Sequence, residues 1–155
     1  MIRFVSFALL LSLAFTQAHT QSLINPTERL VIGGEVEAEK ILHLKDIAAM
    51  SSVKIKDIQI TNHKGEAKGK LQGLRGIPVK AILQGVPIKS ESPKFLSEYF
   101  LVFEASDGYK VVFSWNEVFN SKTGDNMYLL TEMGGKSLTE MEQRIAFVCP
   151  TDLQT

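Results

Sequence analysis

Cysteine is almost missing from this sequence. Cys149 stands alone among 155 residues, so no intrachain disulfide can form and no paired-cysteine zinc motif exists. Histidine is nearly as scarce: there are three, and none falls in the HExxH spacing of a metalloprotease helix. Net charge is absent as well. Seventeen basic residues balance seventeen acidic ones, which leaves no electrostatic footprint for nucleic acid or for an anionic membrane surface. No apolar run reaches the ~18 residues that a membrane-spanning helix needs. Internal repeats and low-complexity tracts are also missing. What is left is an ordinary folded domain whose stability must come from packing.

The amino-terminal stretch has a different character. Arg3 precedes an apolar run of 12 residues, Phe4 to Phe15, and Thr16-Gln17-Ala18 follows as a small-polar-small cleavage context. A run that short cannot cross a bilayer core of roughly 30 Å, and this arrangement is that of a secretory signal peptide. The expected organisation is a signal peptide over 1–18, a polar lead-in over 19–29 and one domain over 30–155, exported to the periplasm or secreted. The 155 residues minus 18 leave 137, enough for one domain with a real core.

Residues 99–119, YFLVFEASDGYKVVFSWNEVF, read as the stretch that organises the chain. Tyr99 to Ala105 is aromatic and β-branched, so it is expected as a strand. Ser106-Asp107-Gly108 is the turn, with Gly108 taking positive φ. Tyr109 to Phe113 returns, and Ser114 to Glu117 has capping-box spacing for a short helix. Elsewhere, Leu30 to Val36 reads as a strand bent at Gly33-Gly34, and Lys45 to Met50 as a short helix. Val53, Ile55, Ile58 and Ile60 alternate out of phase across Lys56-Asp57, which predicts one strand with a bulge. Glu66 to Gly73 reads as its return strand, and Leu74 to Ile77 as a loop. Pro78 then opens a helix with Val79, Ile82 and Leu83 as its apolar stripe. Asn126 to Thr131 and Arg144 to Cys149 read as strands around a Gly134-Gly135 segment. Many short strands in mixed sheets with short helices between them predict an α+β domain.

No residue presents itself as catalytic or as a metal ligand. Cys149 reads as a buried small hydrophobe, with a reactive thiol as the alternative. His43 reads as a partly buried structural imidazole, and Trp115 and Phe119, one helical turn apart, as core. Lys64, Lys68, Lys70, Arg75 and Lys80 form a basic run opposed in sequence only by Glu66. That run is either a solvated face or a site for a small anion, with Arg75 supplying a forked contact. Asp107 and Tyr109 are explained by the turn, with the Tyr109 ring on the core and its hydroxyl in water.

The order of these pieces resembles the molybdopterin-binding domain of the sulfite oxidase family. The resemblance rests on LVIGGEV (Leu30 to Val36), LHLKDI (Leu42 to Ile47), Gly73 to Leu83, the "A-x-D-G-Y" piece from Ala105 to Val118 and "V-x-P-x-D" from Val148 to Asp152. It implies that family's fold, molybdopterin as cofactor, and a pterin phosphate as the anion for the basic run. It also places the turn carrying His63, and the hairpin with Asp107 and Tyr109, near the family's site. The cofactor-contacting set it suggests is His63, Lys70, Arg75, Asp107 and Tyr109. Catalytic members carry a molybdenum-binding cysteine before the "G-x-x-G" segment. Here Ile58 to Lys70 has none, and Asn62 or His63 is a poor substitute for a soft thiolate. Molybdenum is therefore not expected. The expectation is a non-catalytic relative that binds a pterin, a small anion or a protein partner. Alternatives are an active molybdopterin-dependent oxidoreductase, or a subunit of one, with altered metal ligation, and a purely structural module.

Overall fold

The computed structural model describes residues 26–62 and 64–151. The signal peptide, residues 19–25 of the lead-in, His63 and Asp152 lie outside the described residues. The chain runs β1 (Arg29–Ile32), β2 (Lys40–His43), α1 (Leu44–Ala48), β3 (Val53–Ile55), β4 (Ile58–Thr61), β5 (Ala67–Leu71), β6 (Leu74–Pro78) and α2 (Val79–Leu83). A 3₁₀ turn over Pro93–Glu98 follows. Then come β7 (Phe100–Glu104), β8 (Lys110–Ser114), α3 (Trp115–Phe119), α4 (Lys122–Asp125), β9 (Tyr128–Met133), β10 (Lys136–Ser137) and β11 (Phe147–Val148). This is the α+β architecture expected, with many short strands in several sheets. The ladders among the described residues are antiparallel rather than mixed. The short connections of β1–β2, β4–β5, β7–β8 and β9–β10 permit only that sense, because a parallel pair needs a long crossover. No helix among the described residues is long and apolar enough to cross a membrane.

The centre of the molecule is the sheet β10-β9-β6-β3, with β11 pairing β9 at its other end. Ile55, Leu74, Ile77, Leu129 and Leu130 from these strands are buried with Ile47 of α1 and Ile82 of α2. Leu74 to Ile77, expected as a loop, are instead strand β6, and both Gly76 and Pro78 have a reason to stand there. A Cβ on Gly76 would lie 2.8 Å from the Leu129 carbonyl oxygen and 2.9 Å from Ile55 Cδ1, so only glycine lets β9 and β3 close on this strand. Pro78 ends the strand and serves as the cap of α2, where a missing N–H costs little.

The bulged strand expected over residues 53–60 is in fact two strands in different sheets. β3 pairs β6 and buries Ile55, whereas β4 leaves at Lys56-Asp57 and pairs β5 in a separate hairpin. Breaking the chain between the out-of-phase pairs satisfies both without a bulge in β3.

The 99–119 stretch forms the hairpin, the turn and the capped helix in the expected places. Gly108 has φ 85°. The Ser114 hydroxyl accepts from the Glu117 N–H at 3.1 Å, and the Glu117 carboxylate accepts from the Ser114 N–H at 2.7 Å. Those two bonds hold the Glu117 carboxyl below its usual range. The hairpin is nevertheless a flank and not the centre. Its inner face (Leu101, Phe103, Phe113) packs on a second cluster of Val79, Val118 and Met127, while Phe100, Val102 and Val112 on the outer face are exposed. Tyr109 is also exposed, at 69%, because the ring sits at the turn and does not reach the core. Trp115 and Phe119 stack with ring centroids 4.0 Å apart and are half-buried. Arg29 already belongs to β1, so the lead-in is shorter than expected. His43 is exposed, and its backbone N–H donates to the Asp46 carboxylate at 2.9 Å, which makes it the N-cap of α1 instead of a partly buried imidazole.

Candidate functional site

Arg75 lies on the exposed side of β6. Its Nε donates to the Ser52 hydroxyl at 3.3 Å and its Nη2 to the Ser52 carbonyl at 3.0 Å. These bonds pull the guanidinium toward the loop ahead of β3 and fix its plane. Beside it opens a cleft of about 490 Å³. Thr131 and Glu132 of β9, Ala48 and Ser52 line it together with Gly135 and Ser137 to Glu140. The two-residue turn Gly134-Gly135 folds β10 back beside β9, with Ser137 opposite Glu132. Ser137 donates to the Glu140 carboxylate through both its hydroxyl and its backbone N–H. The hydroxyl bond, with the backbone bond second, holds the Glu140 carboxyl below its usual range, so this wall carries a fixed negative charge.

The basic run does not converge on this cleft. Lys70 sits on β5 opposite Gln59 and pairs with Asp57 at 3.0 Å. The hydrogen bond from Lys70, more than its charge, lowers the Asp57 carboxyl. Lys68 pairs with Glu66 at 3.7 Å. Lys80 donates to the Phe119 carbonyl at 2.9 Å and to Asp125 at 2.6 Å. Three carboxylates thus oppose the run, not Glu66 alone, and Asp57 and Asp125 are brought in by the folding of the chain. Arg75 is the member of the run that faces a cavity. Asp107 and Tyr109 occupy the tip of the β7–β8 turn, where the Asp107 carboxylate accepts from the Tyr109 N–H at 2.9 Å. Neither lines the Arg75 cleft. Their neighbour Ser106 borders a different cleft of about 590 Å³ with Arg29, Val31 and His43. His63 lies outside the described residues.

Ser52, Glu132, Ser137 and Glu140 escaped the sequence reading. Two signals for them are there in hindsight. Glu132 is a lone charge in an otherwise apolar strand, and Ser137-x-x-Glu140 has capping-box spacing.

The side chains present do not fit a molybdenum–thiolate centre. Cys149 lies beyond β11, half-buried against the second cluster, with Sγ 3.8 Å from the Thr123 carbonyl. It was expected as a buried small hydrophobe, and it is less buried than that. Between Ile58 and Lys70 no thiolate exists. Among the described residues, no group of three or more His, Cys, Asp or Glu is placed to hold a metal ion.

No protein-family model matches the sequence, and no curated protein matches it. Among solved structures, the chain is similar to the sulfane dehydrogenase SoxCD from Paracoccus pantotrophus, with a TM-score of 0.55 and 14% identity over 83% of this chain. It spans 34% of that chain, about a third of its length. At that identity the likeness concerns the fold.

Proposed function

We propose that this chain is an exported, non-catalytic binding module on a sulfite oxidase-like molybdopterin-domain fold, taking a small anionic ligand in the cleft beside Arg75. The carrying observation is the guanidinium itself. It is oriented by Ser52 and borders a cleft, while the lysines at 68, 70 and 80 are engaged by carboxylates. A planar fork held in one orientation is pre-organised for a carboxylate, sulfate or phosphate oxygen pair. A pterin phosphate belongs to that class. Support for the fold comes from the likeness to a sulfane dehydrogenase and from the ordered family-like motifs. The missing thiolate between Ile58 and Lys70 is what makes the reading non-catalytic. The amino-terminal residues support export: the mature chain, read by mass spectrometry, is expected to begin between residues 19 and 23. A mature chain that retains Met1 would contradict export.

A salt series tests the binding reading. Sulfate should raise the melting temperature of the wild type along a saturating curve, by RT ln(1 + [L]/Kd), or about 1.4 kcal/mol at ten times Kd. Sulfate also strengthens burial non-specifically, so variants are the control. Arg75→Gln should remove the saturating part, and Lys70→Gln, which only breaks an exposed pair with Asp57, should leave it intact. A gain linear in salt and equal in all three proteins would overturn the reading.

A further inference from the structure

Arg75 and Glu132 are direct partners across the β6–β9 ladder, so their side chains leave the same face of the sheet. Opposite charges in that arrangement ordinarily form a cross-strand ion pair. Here they do not. The guanidinium is drawn to Ser52 through Nε and Nη2, and the Glu132 side chain takes part in no ion pair or hydrogen bond among the described residues. Both nonetheless line the same cleft. Glu132 is half-buried, and its carboxylate is open to accept from a ligand donor. Leu138, buried at 4%, and Ala48 add a small apolar wall to the same cleft.

A cation and a carboxylate side by side on one cleft and not bonded to each other are the complement of a molecule that carries both charges. We infer that the cleft takes a small zwitterion of the α-amino acid or aminosulfonate class. Its acid group forks onto Arg75, its ammonium donates to Glu132, and a short side chain rests on Leu138 and Ala48. This rests on the reading of the Arg75 cleft as an anion site and adds the requirement for a second, cationic group on the ligand.

Calorimetric titration of the full chain with alanine, propionate and ethylammonium tests it. Propionate is alanine without the ammonium, and ethylammonium is alanine without the carboxylate. Alanine is expected to bind the wild type at least roughly tenfold more tightly than propionate, the worth of one charge-assisted hydrogen bond. Glu132→Gln should bring alanine down to the affinity of propionate and leave propionate no weaker. Arg75→Gln should remove both. Equal affinity for alanine and propionate in the wild type would overturn the inference, and that comparison stands even if a variant does not fold. Should alanine fail while sulfate still gives an Arg75-dependent saturating gain, the zwitterion falls and the anion site stands. Should sulfate fail too, both fall.

Discussion

Gly124→Ala is expected to be the most damaging single methyl that can be added to this protein. An alanine Cβ there would lie 1.7 Å from the Val118 carbonyl oxygen, 2.4 Å from its carbon and 2.7 Å from the Glu117 carbonyl oxygen. All three are backbone atoms, so no rotamer change relieves the clash. α3 and α4 would have to separate, and Val118, which is fully buried, would be pulled from the second cluster. The Ser121 hydroxyl, which accepts from the Thr123 and Gly124 N–H groups, would lose its cap geometry with them. Overpacking against backbone places the cost above about 4 kcal/mol. At roughly 3–5 °C per kcal/mol for a domain of this size, the melting temperature should fall by more than about 10 °C, or the cooperative transition should vanish. Gly108→Ala is the comparison. Its Cβ meets nothing within 4 Å, so it pays only for a left-handed backbone, roughly 1–2 kcal/mol. Calorimetric melts of the two variants decide it. Similar losses would mean that α3 and α4 do not approach as described.

The second large effect concerns which strand pair holds the molecule together. Leu74 is 1% exposed and packs in the principal core cluster under β6. Leu74→Ala should cost about 2–5 kcal/mol through lost transfer energy and the cavity left behind. Val102 lies on the outer face of the β7–β8 hairpin at 48% exposure, and Val102→Ala should change stability by no more than about 0.5 kcal/mol. Urea melts with an unchanged m-value are the readout. If the hairpin variant proved the more damaging, residues 99–119 would be the organising element after all, and the β6–β9 pair a secondary feature.

The contrast between these two regions explains what sequence reasoning could reach. The hairpin is specified locally: alternation, a turn glycine and the Ser114–Glu117 box all lie within about twenty residues. Its elements are therefore legible even though its rank in the fold is not. Strand β6 is specified by its partners. Gly76 and Pro78 argue against a strand in isolation, and only the approach of Leu129 and Ile55 shows why they are there. The break between β3 and β4 was visible as a phase shift, but a bulge and a strand switch produce the same pattern. The site divides in the same way. Arg75 stood out by its chemistry and by the glycines beside it. Ser52, Glu132 and Glu140 come from segments 23, 57 and 65 positions away in sequence, and no local signal ties them to it. Lys70 shared the basic run with Arg75 but not its surroundings, because β5 and β6 belong to different sheets.

The function proposed above is that of a binding module without molybdenum chemistry. Elemental analysis of the protein purified from its native host tests this most directly. With no thiolate between Ile58 and Lys70, and with Cys149 packed beyond β11 against the second cluster, molybdenum should be far below one atom per chain. One molybdenum atom per chain, lost on changing His63 or Asn62, would contradict the account and make the protein a molybdenum oxidoreductase or a subunit of one.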